Sequence, residues 1–463
     1  MKKLFYVVFV SSGFSLFSLV AGAQTTQPAS IAQPSPTVRL APGAASKGDT
    51  ILADATLQAC IHYALIHYPQ VQQAYLDEQI TDRQIKSKLA DWYPQLNLNA
   101  NYQNNFQLQS VAFNGSTVKS GTYNTSTVGL GLSQTIFNRD VLLASRTKND
   151  VRTQSRQTTL TDKIDVAVNV GKAFYDVLLT QKQIEVLNDD IVRLERNFKD
   201  AYNQYQGGLV DKTDYKRATI TLNNSKAEKK TDEEQLKAKY EILKQMMGYT
   251  GKDSIHLVYD SVQMASEVII DTTAAIDYSK RIEYQSLLTQ KHLQQADVQY
   301  EKWSYLPSLT ATGGYNMNYL NSRFSPLYQD NFPNSFAGVQ LSFPIFQGTK
   351  RTQNIRIAEL QLTRIDWDMI NLQTNISSQY AQALAAYKGY LNDYYVLKDN
   401  LDLAREVFNT IELQYRSGIK AYLDLITAET DLRTAQSNFS NALYQALSSK
   451  LDVQKALGTI QLY

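Results

Sequence analysis

Twelve apolar or small residues between Val166 and Tyr205 follow one another at alternating steps of four and three. They are Val166, Val170, Ala173, Val177, Thr180, Ile184, Leu187, Ile191, Leu194, Phe198, Ala201 and Tyr205. A stripe that returns to the same helix face every seven residues is a coiled-coil seam. Adding 210 to each number gives Ile376, Tyr380, Ala383, Tyr387, Tyr390, Tyr394, Leu397, Leu401, Ala404, Phe408, Ile411 and Tyr415, in the same phase. So many matches in register mark an internal duplication. The chain must therefore build one elongated helical unit twice.

Around these rods the chain can be read in order. Helical periodicity begins at Ile51 and puts Leu57, Cys60, Ile61, Ala64 and Leu65 on one face. Pro69 should break or restart that helix, which then runs to Trp92. After Pro94 the period changes to two. Leu96, Leu98, Ala100 and Tyr102 alternate with Asn97, Asn99, Asn101 and Gln103. A Gly/Ser/Thr/Asn loop leads to a second alternating run through Val128, Leu130, Leu132 and Ile136. The second half repeats the device after Pro307, with strands through Leu309–Tyr319 and Ala337–Phe343.

Long helices are predicted over Asp140–Tyr205 and Lys350–Arg416. Shorter ones are predicted over Thr213–Met247, over 274–306 and from the turn at Ser417–Lys420 to Leu457. Each long rod, roughly 100 Å at 1.5 Å per residue, would be lined by two half-rods stacked end to end. The helix over 213–247 is expected to stack on the one over 274–306. The last helix is expected to stack on the one over 51–92. Gly248 and Gly458, also 210 apart, close the halves. The boundaries are a first repeat over 51–248, an equatorial connector over 249–275 and a second repeat over 276–463.

The N-terminus reads as a signal peptide over 1–23: Lys2 and Lys3, an apolar run over Leu4–Val20, then Ala21-Gly22-Ala23. Residues 24–50, rich in Pro, Ala, Ser and Thr, read as a disordered lead. No cysteine stands at the cleavage site to take a lipid. The mature chain is expected to be exported.

Composition removes several function classes. A net charge of +2 suggests no nucleic-acid partner. The single cysteine, Cys60, rules out an internal disulfide, and the four histidines are scattered without metal-ligand spacing. Phosphate loops and Ser/His/Asp arrangements are absent, so neither an enzyme nor a cofactor is expected. Thirty tyrosines against three tryptophans suit a structure with many half-wet, half-apolar positions.

The alternating strands leave two readings open. One is a half-buried antiparallel sheet in a soluble cap. The other is a membrane barrel, apolar toward lipid and polar toward a watery lumen. The few charges on the polar face favour the barrel. So do Trp92 and Tyr93, matched by Trp303 and Tyr305 in the second half, where helix becomes strand and an interfacial belt would fall. Four strands cannot close a barrel alone, whereas three copies would supply twelve.

Two turns carry a family resemblance. One is Gly208-Leu209-Val210-Asp211-Lys212-Thr213-Asp214. The other is Ser417-Gly418-Ile419-Lys420-Ala421-Tyr422-Leu423-Asp424, and the chain closes on Ala456-Leu457-Gly458-Thr459. With the duplicated helix–strand–strand–helix–helix order, they make the chain resemble the TolC family of outer-membrane efflux and secretion channels over about 51–460. The resemblance implies a homotrimer in the outer membrane of a Gram-negative bacterium. Its 12-stranded β-barrel would be continuous with a 12-helix periplasmic α-barrel. The tips, Gly208, Leu209, Val210, Asp211, Gly418, Ile419 and Asp424, would dock on a periplasmic adaptor protein that reaches an inner-membrane pump. Arg405 matches the family's latch arginine, with Thr213 and Asp214 as its partners. Asn409 and Glu412 match an acidic ring at the constriction, here with one acid of two. The implied function is a passive exit duct for efflux or type I secretion. The competing reading is a trimeric coiled-coil spacer or adhesin, which has no need of alternating strands beside aromatic belts.

Overall fold

A computed structural model describes residues 55–462 apart from 114, 209, 252–254, 260–263, 265 and 274. The expected signal peptide over 1–23, the lead over 24–50 and Leu209 lie outside the described residues.

The first repeat contains α1 (Leu57–His67), α2 (Pro69–Leu89), β1 (Gln95–Asn104), β2 (Gln109–Phe113), β3 (Ser116–Ser120), β4 (Asn124–Phe137), α3 (Arg139–Gln206) and α4 (Lys212–Met247). The second contains α5 (Ile282–Lys302), β5 (Ser308–Asn321), β6 (Asn334–Ser342), α6 (Lys350–Arg416) and α7 (Tyr422–Leu457). α3 and α6 have 68 and 67 residues, and α4 and α7 have 36 each, so the corresponding helices of the two halves have matching lengths. Pro69 occupies the first turn of α2, where its missing N–H costs nothing, and Tyr68 before it is extended. Asn138 caps α3 by accepting the N–H of Asp140 at 2.8 Å.

The seam is the packing face. Every α3 seam residue is buried or half-buried, and on α6 Tyr390 alone exceeds a third exposure, at 37%. α3 also buries a second face through Ala167, Gly171, Phe174, Tyr175 and Leu178. It needs both, because α2 and α5 flank one half of its length while α4 and α7 flank the other. At Gly171 a Cβ would lie 2.7 Å from a Leu451 methyl carbon, which is how closely α3 and α7 approach.

Two expectations need correction. The helix over 274–306 starts only at Ile282. Asp277 caps a short turn at Tyr278–Lys280 by accepting the N–H of Ser279 at 3.0 Å, and such a side-chain bond competes with helix. The half-rods are also paired the other way round. The left-handed Gly248 that ends α4 abuts the carbonyl of His67, just before α2. The left-handed Gly458 that ends α7 abuts Lys280, just before α5, and Arg281 donates to the Lys455 carbonyl at 3.0 Å. So α4 stacks on α2 and α7 on α5. The connector is long enough to cross between rods, so adjacency in sequence does not decide which ends meet.

The four long strands form one antiparallel sheet in the order β1-β4-β5-β6. Its central pair joins the repeats, with Asn124 opposite Asn321 and Thr127 opposite Asn318. Polar side chains ladder across it. Tyr102 and Asn104 donate to Asn124 Oδ1 at 2.8 and 2.7 Å, and Thr127 donates to Asn318 at 3.0 Å. Leu96, Leu98, Val339 and Leu341 are each about two-thirds exposed, so the apolar face is uncovered on both edge strands. β2 and β3 pair as a separate hairpin within the stretch expected to be a loop.

Candidate functional site

The two helical hairpins, α3–α4 and α6–α7, end in turns of the same chemistry. At the second, Gly418 takes φ +76°, its N–H donates to Tyr415 O and that of Ile419 donates to Gln414 O, both at 2.9 Å. This arrangement satisfies the last helix carbonyls and requires a left-handed residue. Gly208 at the first turn has φ +70°. Asp211 caps α4 by accepting the Thr213 N–H at 3.1 Å, which leaves Asp214 half-buried in the first turn. Val210 is half-buried and Ile419 is 73% exposed. Asp424 lies 3.8 Å from Lys420.

The structure does not join Arg405 to Thr213 or Asp214 within the chain. Its guanidinium is exposed and lies 3.5 Å from Asp402 on its own helix. Glu412 is likewise held locally, at 2.6 Å from Arg416, and Asn409 is exposed. The charge of Asp214 acts instead on two tyrosines. The rings of Tyr415 and Tyr422 stand 5.9 Å apart at the foot of α6 and α7. Burial raises both phenol pKa values, and the negative charge of Asp214 adds to the shift. Above them Leu401, Phe408, Leu425, Ala428 and Leu432 pack with Phe198 and Ala218, so the two hairpins share one apolar core.

At the other end, aromatic side chains mark each passage from helix to strand. The Trp92 indole points to the Ile136 carbonyl at 3.4 Å, and Tyr93 is 69% exposed. Arg146 stands 4.7 Å over Trp303 and Arg351 stands 4.9 Å over Tyr305, an arrangement in which ring faces hold cations.

A family model described as "Outer membrane efflux protein" matches residues 60–249 and 287–459. The chain belongs to the outer membrane efflux protein family. It is similar to the outer membrane protein TolC of Vibrio cholerae, 23% identical over 384 residues that cover 81% of this chain and 84% of that one. It is also similar to the solvent efflux pump outer membrane protein SrpC of Pseudomonas putida, 29% identical over 154 residues, or 33% and 31% of the two chains. The fold matches crystal structures of CusC with a TM-score of 0.69 at 17% identity, covering 88% of this chain and 93% of that one. This outer membrane efflux protein is thus an exit duct and not an enzyme, placed in a Gram-negative outer membrane and extending into the periplasm. Among the described residues no helix is long and apolar enough to cross a membrane.

One group of residues in this efflux protein escapes sequence reasoning. Asp190, Arg193 and Asn197 of α3 lie beside the seam and meet Ser225 of α4 and Glu429 and Arg433 of α7. Glu429 accepts from Arg193 Nε at 3.3 Å and from Asn197 at 3.0 Å. Asp190 accepts from Ser225 at 3.1 Å and from Arg193 at 3.4 Å. Burial, then the nearby Asp190 charge, pushes Glu429 up to about 7 despite Arg193. Burial likewise raises Asp190. The available signal was the spacing 190, 193, 197, a polar stripe of helical period flanking an apolar one.

Proposed function

We propose that three copies assemble, each contributing its four-stranded sheet to one 12-stranded barrel and its helices to one periplasmic tunnel. The sheet carries this reading. It has two unpaired edges, at β1 and β6, and an uncovered apolar face, a state that neither water nor lipid tolerates in one chain. Pairing β6 of one copy with β1 of the next removes every edge. The aromatic residues Trp92, Tyr93, Trp303 and Tyr305 then form the periplasmic-side belt of the barrel.

In the same reading the tips are the gate and the docking face. Gly208, Leu209, Val210, Asp211, Gly418, Ile419 and Asp424 present the turns to a periplasmic adaptor, which links the duct to an inner-membrane pump. Among the described residues Arg405 has no ion-pair partner across the hairpins in its own chain, so a latch to Thr213 and Asp214 runs between copies, a charge-assisted and breakable bond. Asn409 and Glu412 stand about one and two turns nearer the mouth. Arg405→Ser and Asp214→Ala should each raise resting conductance in planar bilayers; unchanged conductance in both removes the latch.

The spacer reading makes a different prediction. A spacer leaves the membrane fraction on a salt wash, whereas a barrel needs detergent. Single-particle images of detergent-solubilised protein should show a hollow trimer with a rod roughly 100 Å long below a micelle-wrapped disc. A solid rod without a micelle would overturn the duct.

A further inference from the structure

The polar group around Glu429 differs from the other ion pairs on these rods. Among the described residues no other paired acid is as enclosed: Asp190 and Glu429 are each 2% exposed, against 17% for the Glu301 side chain, and Ser225 is fully buried. Its bonds cross between hairpins, as the more exposed pairs Lys172–Asp452 and Lys455–Asp165 also do. Arg193 of α3 donates to Glu429 of α7. Arg433 of α7 donates to Ser225 and Glu228 of α4 at 3.0 and 3.3 Å and lies 3.8 Å from Asp190 of α3. The fourth helix, α6, contributes Phe408, whose ring lies 5.6 Å from the Arg193 guanidinium. Every helix of the two hairpins therefore meets at one level, within the span of their shared apolar core.

The cations do not match the acids. Arg193 divides a single guanidinium between Asp190 and Glu429, at 3.4 and 3.3 Å, and makes a bidentate pair with neither. Arg433 is drawn partly outward by Glu228. With both buried acids ionised, two negative charges share a site from which water is largely excluded, and each disfavours the charge of the other. With Glu429 neutral, both arginines serve Asp190, and Glu429 keeps its bond from Asn197.

We propose that Glu429 and Asp190 form a proton-operated clasp: it holds hairpin α6–α7 against hairpin α3–α4 while Glu429 is protonated, and it loosens when Glu429 ionises. The charged and titratable groups facing Glu429 are Asp190 and Arg193 from α3 and the Tyr422 phenol from α7, and Arg433 of α7 reaches the group through Asp190. Glu228 and Asp232 of α4 lie beside Arg433. Burial and the neighbouring Glu228 charge raise Asp232, so it opposes extra negative charge at this level in the same sense. The position of Glu429, pushed up to about 7, puts the transition near neutrality. The clasp holds whether the hairpins line a duct or a solid rod, so it stands apart from the functional reading.

Amide hydrogen exchange on the full-length protein in detergent tests it, read at pH 6 and pH 8 and corrected for intrinsic exchange rates. Peptides covering 186–200 and 425–436 should lose protection about tenfold on going to pH 8, while a peptide from α2 should not. Glu429→Gln should keep the pH 6 protection at both values. Asp190→Asn should move the wild-type midpoint to lower pH, because it removes the repelling charge. Circular dichroism confirms that each variant is folded. Unchanged wild-type protection would overturn the clasp. So would a Glu429→Gln protein that responds like wild type, or an Asp190→Asn protein with an unmoved midpoint.

Discussion

Glu429 gives the fold a pH response near neutrality. Its folded value is about 7 against an ordinary 4.5, so between these values the folded chain holds a proton that the unfolded chain has released. Stability is therefore greatest at the acid end of that window and falls as pH rises through it. Carboxyls held low by partners, such as Asp82 beside Lys86 and Arg152, act the opposite way, but only below their ordinary range. The melting temperature should be lower at pH 8 than at pH 6, and Glu429→Gln should flatten the difference, as thermal scans by circular dichroism would show. Glycines give a second residue-scale contrast. Gly418 and Gly458 share a left-handed φ, +76° and +69°. Nothing lies near a Cβ at Gly418, whereas at Gly458 it would meet the Lys280 carbonyl oxygen at 2.7 Å. Gly418→Ala should cost about 1–2 kcal/mol, the left-handed penalty alone. Gly458→Ala should cost more and lower the melting point further, because backbone must shift.

At the scale of elements, the heptad seam made α3 and α6 legible, because a 3.5-residue repeat has few other solutions. Leu194 on that seam is 1% exposed while Val192 beside it is 60% exposed. Leu194→Ala should cost about 2–5 kcal/mol, as other buried leucine truncations do. Val192→Ala should stay within about 0.5 kcal/mol. Equal losses by chemical denaturation would mean that the seam is not the packing face. The width of the buried face was less legible. α3 touches neighbours on two sides, so Asp190 and Asn197, adjacent to the seam, are buried too. The β2–β3 hairpin is hidden for another reason: Ser, Thr, Asn and Gly make up half of residues 109–120, and their turn preference masks a five-residue strand.

At the scale of the whole molecule, the strand faces make the sharpest prediction. Leu98 and Asn99 are neighbours on β1 and point to opposite sides of the sheet. If the apolar face meets lipid, Leu98→Arg should cost about 2–4 kcal/mol at mid-membrane and reduce the SDS-resistant oligomer recovered from membranes. Asn99→Arg should leave it intact. The order of half-rods belongs to this scale as well. Gly248 and Gly458 could be named as closing residues from their spacing. Which helix start each one caps depended on a connector crossing from one rod to the next.

By itself the sequence determined the duplication, the two long rods and their seams, the alternating strands and the turn residues, since each follows from a period of two or 3.5 and from where glycine and proline must sit. Only the tertiary structure decided that α4 stacks on α2 and α7 on α5, and that Asp190 meets Glu429. Those outcomes rest on contacts between residues up to 239 positions apart, as Asp190 and Glu429 are. No local periodicity encodes which buried charge will face which.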